Sequence, residues 1–462
     1  MKASLARQLA HGATLVVVST VWLPQLAAAD DAGPVTGETG DAIYAHGEVT
    51  TAARLFQRPL TTAAGGVVAS GIAAPLYHHA LLRVRDVDTP WAEDSVDVEL
   101  SAWGNLELGD VSEVHRLDGD VMVARVTQRF DHARLSAGRM VRGGGAARFA
   151  RFDGVEAGLY EPVTGLGVEA YGGLSVLPRW SQRDGYQLLG STPDTLLRDP
   201  TIVADTSREG HWLVGGRLYT RVADAIVAGA SFHEQREDHG LARRNAALDA
   251  TATWDTIAVR GLALMDLDAA SLADARLSVD AYPTPWLTLA TSYQHLAPAL
   301  LLSRQSVLSV FSTETFDEWG MEAQIDPWAW LRISAEGFVD RFDSGAMGTR
   351  SGGSLWLRGD VVRAGLGYRR VLEERNGYHG LRASTSVRPA RDWMLTADAF
   401  LYAYDRDIAG VSQSLQGIVA GHWRADERVA MVLSGSLARS PFSALDAQAI
   451  ARIDVSLDGG SR

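Results

Sequence analysis

Charged, polar and aromatic residues recur two apart along this chain, with mostly apolar residues between them. Arg217, Tyr219 and Arg221 form one such set, Arg332, Ser334 and Glu336 another, and Thr396, Asp398 and Phe400 a third. A guanidinium is a rigid fork that pairs two-pronged with carboxylates. A row of mixed-sign charges lining a wet passage creates a transverse field that selects solutes by size and charge. On parity the candidates for such a lining are Arg217, Arg221, Arg332 and Arg369, with Glu322, Glu336 and Asp398. The plainer role for any one of them is to hydrate that lining and pair with its neighbours. Tyr219, Phe338, Phe400, Tyr402 and Tyr404 share the same parity, which suits them to stack on sugar faces or to fill space.

Bond-breaking chemistry has little to work with. No G-x-S-x-G elbow, H-E-x-x-H helix or P-loop occurs, and the sole lysine is Lys2. His233 opens "HEQRED" without the second histidine that a zinc site needs. His78-His79 reads as strand surface. His233, His295 and His379 are the histidines an enzyme at a barrel rim could use, and none has a supporting motif. The glycines Gly143–Gly145 fit a bend needing positive φ better than a phosphate loop, because no helix follows them. With no cysteine, the chain relies on no disulfide and no thiolate-held metal. No cofactor or metal is expected.

The elements that position these side chains are strands. In "DPWAWLRISAEGFVDRF", Leu331, Ile333, Ala335, Gly337 and Val339 fall on one side, and Arg332, Ser334, Glu336 and Asp340 on the other. The same alternation runs through "VAMVLSGSLAR", "WMLTADAFLYAY", "WGMEAQID", "AQAIARIDVSL" and "WLVGGRLYTRV". Such runs of about nine to thirteen residues suit tilted strands that cross a membrane. Very short connections, such as Asp131-His132, Asp255-Thr256 and Pro389–Asp392, alternate with longer polar ones such as Pro178–Gly210 and Ala297–Thr315. Trp254, Trp286, Trp328, Trp330, Trp393 and Trp423 all lie beside short connections, where amphipathic indole favours a headgroup level. This pattern predicts an all-β protein, a transmembrane antiparallel up-and-down β-barrel of about 20 strands (range 18–22). Its apolar parity would face lipid and its charged parity water. Pairing of Ile43–Phe56 and Tyr77–Val87 into the sheet would add two strands to the basic count.

The N-terminus, with Lys2, Arg7, an apolar run from Ala13 to Leu23 and Ala27-x-Ala29, reads as a signal peptide over residues 1–29. A flexible leader follows at 30–45, then an N-terminal segment at 46–95, either plug or first strands, then the barrel at 96–458. Within 46–95, Thr61–Leu76 is rich in Gly and Ala and fits a plug, an interfacial piece or a poor strand. Of 43 basic residues, Lys2 and Arg7 lie in the signal, so the mature charge is 41 − 56 = −15, which argues against nucleic acid. Arginine in place of lysine is the mark of GC-rich coding and also suits a guanidinium-lined lumen.

"LSAGRMVRGGGAARFARFDGVEAG" (Leu135–Gly158) and "GLGVEAYGGLSVLPRW" (Gly165–Trp180) join a G-R strand, a Gly-rich bend and an F-D-G strand. In this the chain resembles outer-membrane β-barrel proteins of the porin and polysaccharide-export kind. The resemblance implies the outer membrane of a Gram-negative cell, after signal removal. It also implies passive passage of polar solutes or a polysaccharide chain, with outer-membrane lipid and periplasmic export components as partners. The C-terminal "DVSLDGGSR" departs from the aromatic ending usual in such barrels. Two other classes stand beside a channel: a barrel enzyme (acyl hydrolase or protease), and a secreted soluble all-β protein, for which a repeated blade motif is missing.

Overall fold

The computed structural model describes residues 44–61, 67–89, 92–109, 117–176, 211–222, 225–237, 240–301, 314–373, 376–408, 410–441 and 443–460. The signal segment and Pro178–Gly210 lie outside them, as does most of Ala297–Thr315. Strands account for nearly all that is described. They begin with β1 (Tyr44–Thr61), β2 (Val67–Ala73), β3 (Pro75–Thr89), β4 (Ala92–Glu107), β5 (Leu117–Arg129), β6 (Ala133–Gly144), β7 (Arg148–Glu161) and β8 (Leu166–Ser175). Next come β9 (Trp212–Val222), β10 (Ile226–Glu237), β11 (Gly240–Thr253), β12 (Ile257–Asp266), β13 (Ser271–Thr284), β14 (Leu287–Leu296), β15 (Phe316–Trp328) and β16 (Leu331–Phe342). The last are β17 (Met347–Arg358), β18 (Val362–Leu372), β19 (Tyr378–Ala390), β20 (Trp393–Ile408), β21 (Val411–Arg424), β22 (Val429–Ser440) and β23 (Ser443–Gly460).

All 23 belong to one antiparallel sheet. The sheet closes because β1 pairs on one edge with β23, from Tyr44↔Gly460 to Phe56↔Gln448, and on the other with β3, from Tyr44↔Arg85 to Ala53↔Leu76. The ring therefore holds 22 strands, β1 and β3–β23, while β2 pairs only with β1. The excess over twenty comes from Tyr44–Thr61 and Pro75–Thr89, which lie in the wall. Their alternation is interrupted by glycine and paired histidines, so the strand signal is weak until both neighbours are in place. Closure leaves the 22-strand ring without an unpaired edge, the condition for a sheet to cross lipid.

One end of the barrel carries the tight connections, among them Asp131-His132 and Arg391-Asp392. The other end is more varied than simple short–long alternation predicts: β10 and β11, β20 and β21, and β22 and β23 are each separated there by two residues.

The barrel is pinched where β6, β7 and β8 meet. Gly138, Gly154 and Gly173 stand opposite one another in register. A Cβ on Gly154 would lie 2.1 Å from the Gly172 carbonyl oxygen, and one on Gly173 2.4 Å from that of Asp153. Only glycine permits so close a backbone approach. Gly154→Ala is thus expected to destabilise the barrel by about 1–3 kcal/mol, seen as a lower temperature at which the folded band converts to the unfolded one on a gel. An unchanged conversion temperature would refute the close packing.

Above the pinch the chain turns inward. Gly144 and Gly145 take positive φ (78° and 52°), and Gly145–Ala147 forms a single 3-10 turn. This turn reaches past β8 and β9 to the inner face of β10–β12. The Ala146 N–H donates to Ser231 Oγ (2.9 Å), and Asn245 Nδ2 donates to the Ala146 carbonyl (3.2 Å). Ala146 is fully buried against Ala247, Leu264 and Ala273, and Leu300 and Leu301 of a short helical turn, α1 (Pro298–Leu301), pack on the same cluster.

Candidate functional site

The side chains sort cleanly by parity. Leu433, Met321, Val419 and Leu437, between 60% and 71% exposed, lie on the outer face, where a soluble protein would not leave them in such numbers. On β16 the outer face reads Leu331, Ile333, Ala335, Gly337 and Val339, nine residues from end to end. That is the length a tilted strand needs to cross the hydrocarbon layer. Arg332, Ser334, Glu336 and Asp340 point the other way.

The inward charges are paired, and unevenly so around the ring. From β4 to β13 they form a dense network. Glu99 accepts from Arg83 (3.0 Å) and Arg125 (2.9 Å). Arg134 bridges Glu156 and Glu169, both at 2.9 Å, and Arg142 engages the same two acids. The Arg142 guanidinium also lies 5.3 Å from the centre of the Tyr171 ring, whose hydroxyl meets His233 Nδ1 at 3.0 Å. Glu156, Tyr171, His233, Asn245 and Asp274 are all buried. Buried charges endure only when paired and hydrogen-bonded, so this sector is a packed wall. The inturned Gly145–Ala147 covers it further, with Arg148 3.8 Å from Asp274.

Across the lumen, from β14 through β23 to β3, the inward charges are more exposed. Among the described residues of that sector no inward carboxylate or guanidinium is buried. Arg332 forms a two-pronged pair with Asp326 (2.9 and 3.1 Å), and Arg358 joins at 3.4 Å. Arg369 meets Glu336 at 2.7 Å, Arg382 meets Asp398 at 2.9 Å, and Arg452 meets Asp454 at 2.8 Å. Among the described residues, the inturned Gly145–Ala147 and α1 lie against the first sector.

The residues singled out on parity are placed as follows. Arg217 faces inward, 2.6 Å from Asp249. Arg332, Arg369, Glu336 and Asp398 face inward in the pairs just given. Arg221 and Glu322 also take inward positions, and neither makes an ion pair with a described residue. Glu322 stands directly opposite Glu336. Of the seven residues singled out, these two are the ones without an ion pair among the described residues. Parity alone could not separate them from the paired ones, since pairing depends on which strands become neighbours.

Trp254, Trp286, Trp328, Trp330, Trp393 and Trp423 all expose their rings at the short-turn rim. Trp328 stacks on Trp330 (5.2 Å between centres) and Trp393 on Trp423 (5.9 Å). His78 and His79 point to opposite faces, to Thr51 and Ser101 respectively, so they cannot chelate together. His295 pairs with Asp317 and His379 with Tyr368. No serine hydroxyl is bonded to His233, His295 or His379 among the described residues, and these residues contain no cluster of metal ligands.

The sequence reading missed a second rim. At the far end of the apolar band the outward row ends on charge: Arg341 follows Val339, Arg370 follows Tyr368, Asp405 follows Ala403 and Arg439 follows Leu437. The signal was present as the first charge on an otherwise apolar parity.

No protein-family model matches this chain, and no curated protein matches it. Solved structures do. OccAB4 of Acinetobacter baumannii is similar at 9% identity, over 90% of this chain and 98% of that one, with a TM-score of 0.45. The BenF-like porin of Pseudomonas fluorescens Pf-5 is similar at 10% identity, over 90% and 99%, with a TM-score of 0.43. The Pseudomonas aeruginosa outer membrane protein opdK stands at 12%, over 90% and 99%, with a TM-score of 0.41. At these values the similarity transfers no residue role and no substrate to this chain.

Proposed function

We propose that this chain is an outer-membrane channel that passes small polar solutes. One observation supports this above others: a closed ring of 22 strands has an exposed apolar band outside and charge-paired side chains inside. A soluble barrel would invert that arrangement. Large barrels leave an aqueous lumen unless something fills it, and among the described residues Gly145–Ala147 and Pro298–Leu301 lie against one side of it. A bare polysaccharide conduit fits less well, because a long glycan needs an unobstructed bore. Enzyme readings find weak support: Ser101 lies 3.0 Å from His79, but among the described residues no carboxylate is bonded to that imidazole to orient it.

The test is conductance of the refolded full chain in a planar bilayer. Discrete ion-conducting steps are expected, and a folded, inserted barrel without current would overturn the channel reading. Replacing Gly143–Ala147 by a two-residue turn should then raise conductance about twofold, since barrel conductance follows the narrowest cross-section. Equal conductance of the shortened variant would remove the turn from the passage.

A further inference from the structure

The inner face of β16–β20 repeats one arrangement at every second residue. The strand register lays four rows across these strands, about 7 Å apart along them. Each row holds an aromatic ring and an arginine: Trp356 with Arg332, then Phe400 with Arg382, Tyr402 with Arg369, and Tyr378 with Arg350. Two of the rings are laid against the wall by glycines on the next strand. A Cβ on Gly365 would meet three atoms of the Trp356 indole, the nearest at 2.6 Å, so that ring lies flat over β18. A Cβ on Gly380 would touch Tyr402 at 3.4 Å and Tyr378 at 3.5 Å, so Tyr402 leans over β19. Tyr378 meets Tyr402 edge-on (5.5 Å, 76°), an arrangement that leaves ring faces uncovered. Phe400 carries the Arg382 guanidinium on its face at 5.1 Å, whereas Trp356, Tyr378 and Tyr402 carry no cation among the described residues.

The charges in these rows are already matched. Arg332 pairs with Asp326 (2.9 Å), Arg382 with Asp398 (2.9 Å), Arg369 with Glu336 (2.7 Å) and Arg350 with Glu318 (2.9 Å). Glu322 opposite Glu336, and Asp340 with Glu373 near it, add acid beside the rows, and Arg358 and Arg363 stand one row lower. The rows thus hold no surplus of positive charge to draw an anion. What they offer is a donor and an acceptor side by side at each step, next to an apolar ring. That chemistry fits a sugar: the C–H face of a pyranose sheds water onto a ring, while neighbouring hydroxyls accept from a guanidinium and donate to its carboxylate. Trp356 over β18 and Tyr402 over β19 are about 14 Å apart, a span that one sugar ring cannot bridge and a chain of two or three can. We propose that this wall is a binding track for a short neutral oligosaccharide. The assignment rests on the channel reading above and names its solute.

The experiment records single channels of the refolded full chain in a planar bilayer while sugars are added to one side. Maltotriose should interrupt the open current, with half-block at about tenfold lower concentration than glucose. Glucuronate and glucosamine, the same ring with a negative or a positive charge, should block no better than glucose. Trp356→Ala and Tyr402→Ala should each raise the half-blocking concentration of maltotriose about tenfold, and Trp356→Phe and Tyr402→Phe should keep most of the block. Open wild-type channels that maltotriose does not interrupt overturn the proposal without any variant having to fold. Stronger block by glucuronate would make the wall an anion site, and stronger block by glucosamine would give it to Glu322 and Asp340 as a cation site; either overturns the sugar track. Block that is unchanged in both alanine variants would place the sugar elsewhere and overturns it too. Inserted barrels that carry no current strike at the channel reading instead, a separate outcome.

Discussion

Replacing Arg217, Arg221, Arg332 and Arg369 together by glutamine should shift the cation-to-anion permeability ratio toward cations by roughly an order of magnitude. Three of the four are paired, so their removal does more than subtract charge. It strips the arginine partner from Asp249 and Glu336 and leaves Asp326 with only Arg358, at 3.4 Å. Arg221, unpaired among the described residues, adds its loss directly. Glu322 and Asp398 remain to strengthen the negative field. The four side chains are only partly buried, so the cost in stability is small. Reversal potentials across a salt gradient measure the ratio, and the shift should shrink near 1 M salt, where the screening length is about 3 Å. Glu322→Gln should move the ratio the other way by a smaller factor. Unchanged selectivity in an open channel would take these arginines out of the passage.

Leu433→Arg should impair insertion, at a cost of about 2–4 kcal/mol for a guanidinium near the bilayer midplane. Leu433 is 66% exposed on the outer face of β22, with Met431 below it and Leu437 above. Ser434, one residue on, points inward and stands opposite Ala420 and Ile450. Arginine there enters water, and Ser434→Arg should fold as the wild type does. The comparison isolates sidedness, because both variants add the same charge at the same depth. Urea titrations of both in liposomes decide the matter, and equal midpoints would mean the strand faces are wrongly assigned.

What the sequence determines here is local and periodic. A period of two assigns Leu331, Ile333 and Val339 to one face and Arg332 and Glu336 to the other, whatever the neighbouring strands are. Turn chemistry and tryptophan beside the short connections likewise mark one rim without reference to distant residues. The tertiary structure decides what depends on which strands meet. Tyr44–Thr61 and Pro75–Thr89 become wall strands because β1 finds β23 across some four hundred residues, a pairing no local pattern encodes. The inward fold of Gly145–Ala147 depends on Ser231 and Asn245, three and four strands away around the ring. Pairing is non-local in the same way. Arg217, Arg332 and Arg369 look alike with Arg221 in the sequence, and only the closed barrel brings Asp249, Asp326 and Glu336 to the first three while leaving Arg221 free of an ion pair among the described residues.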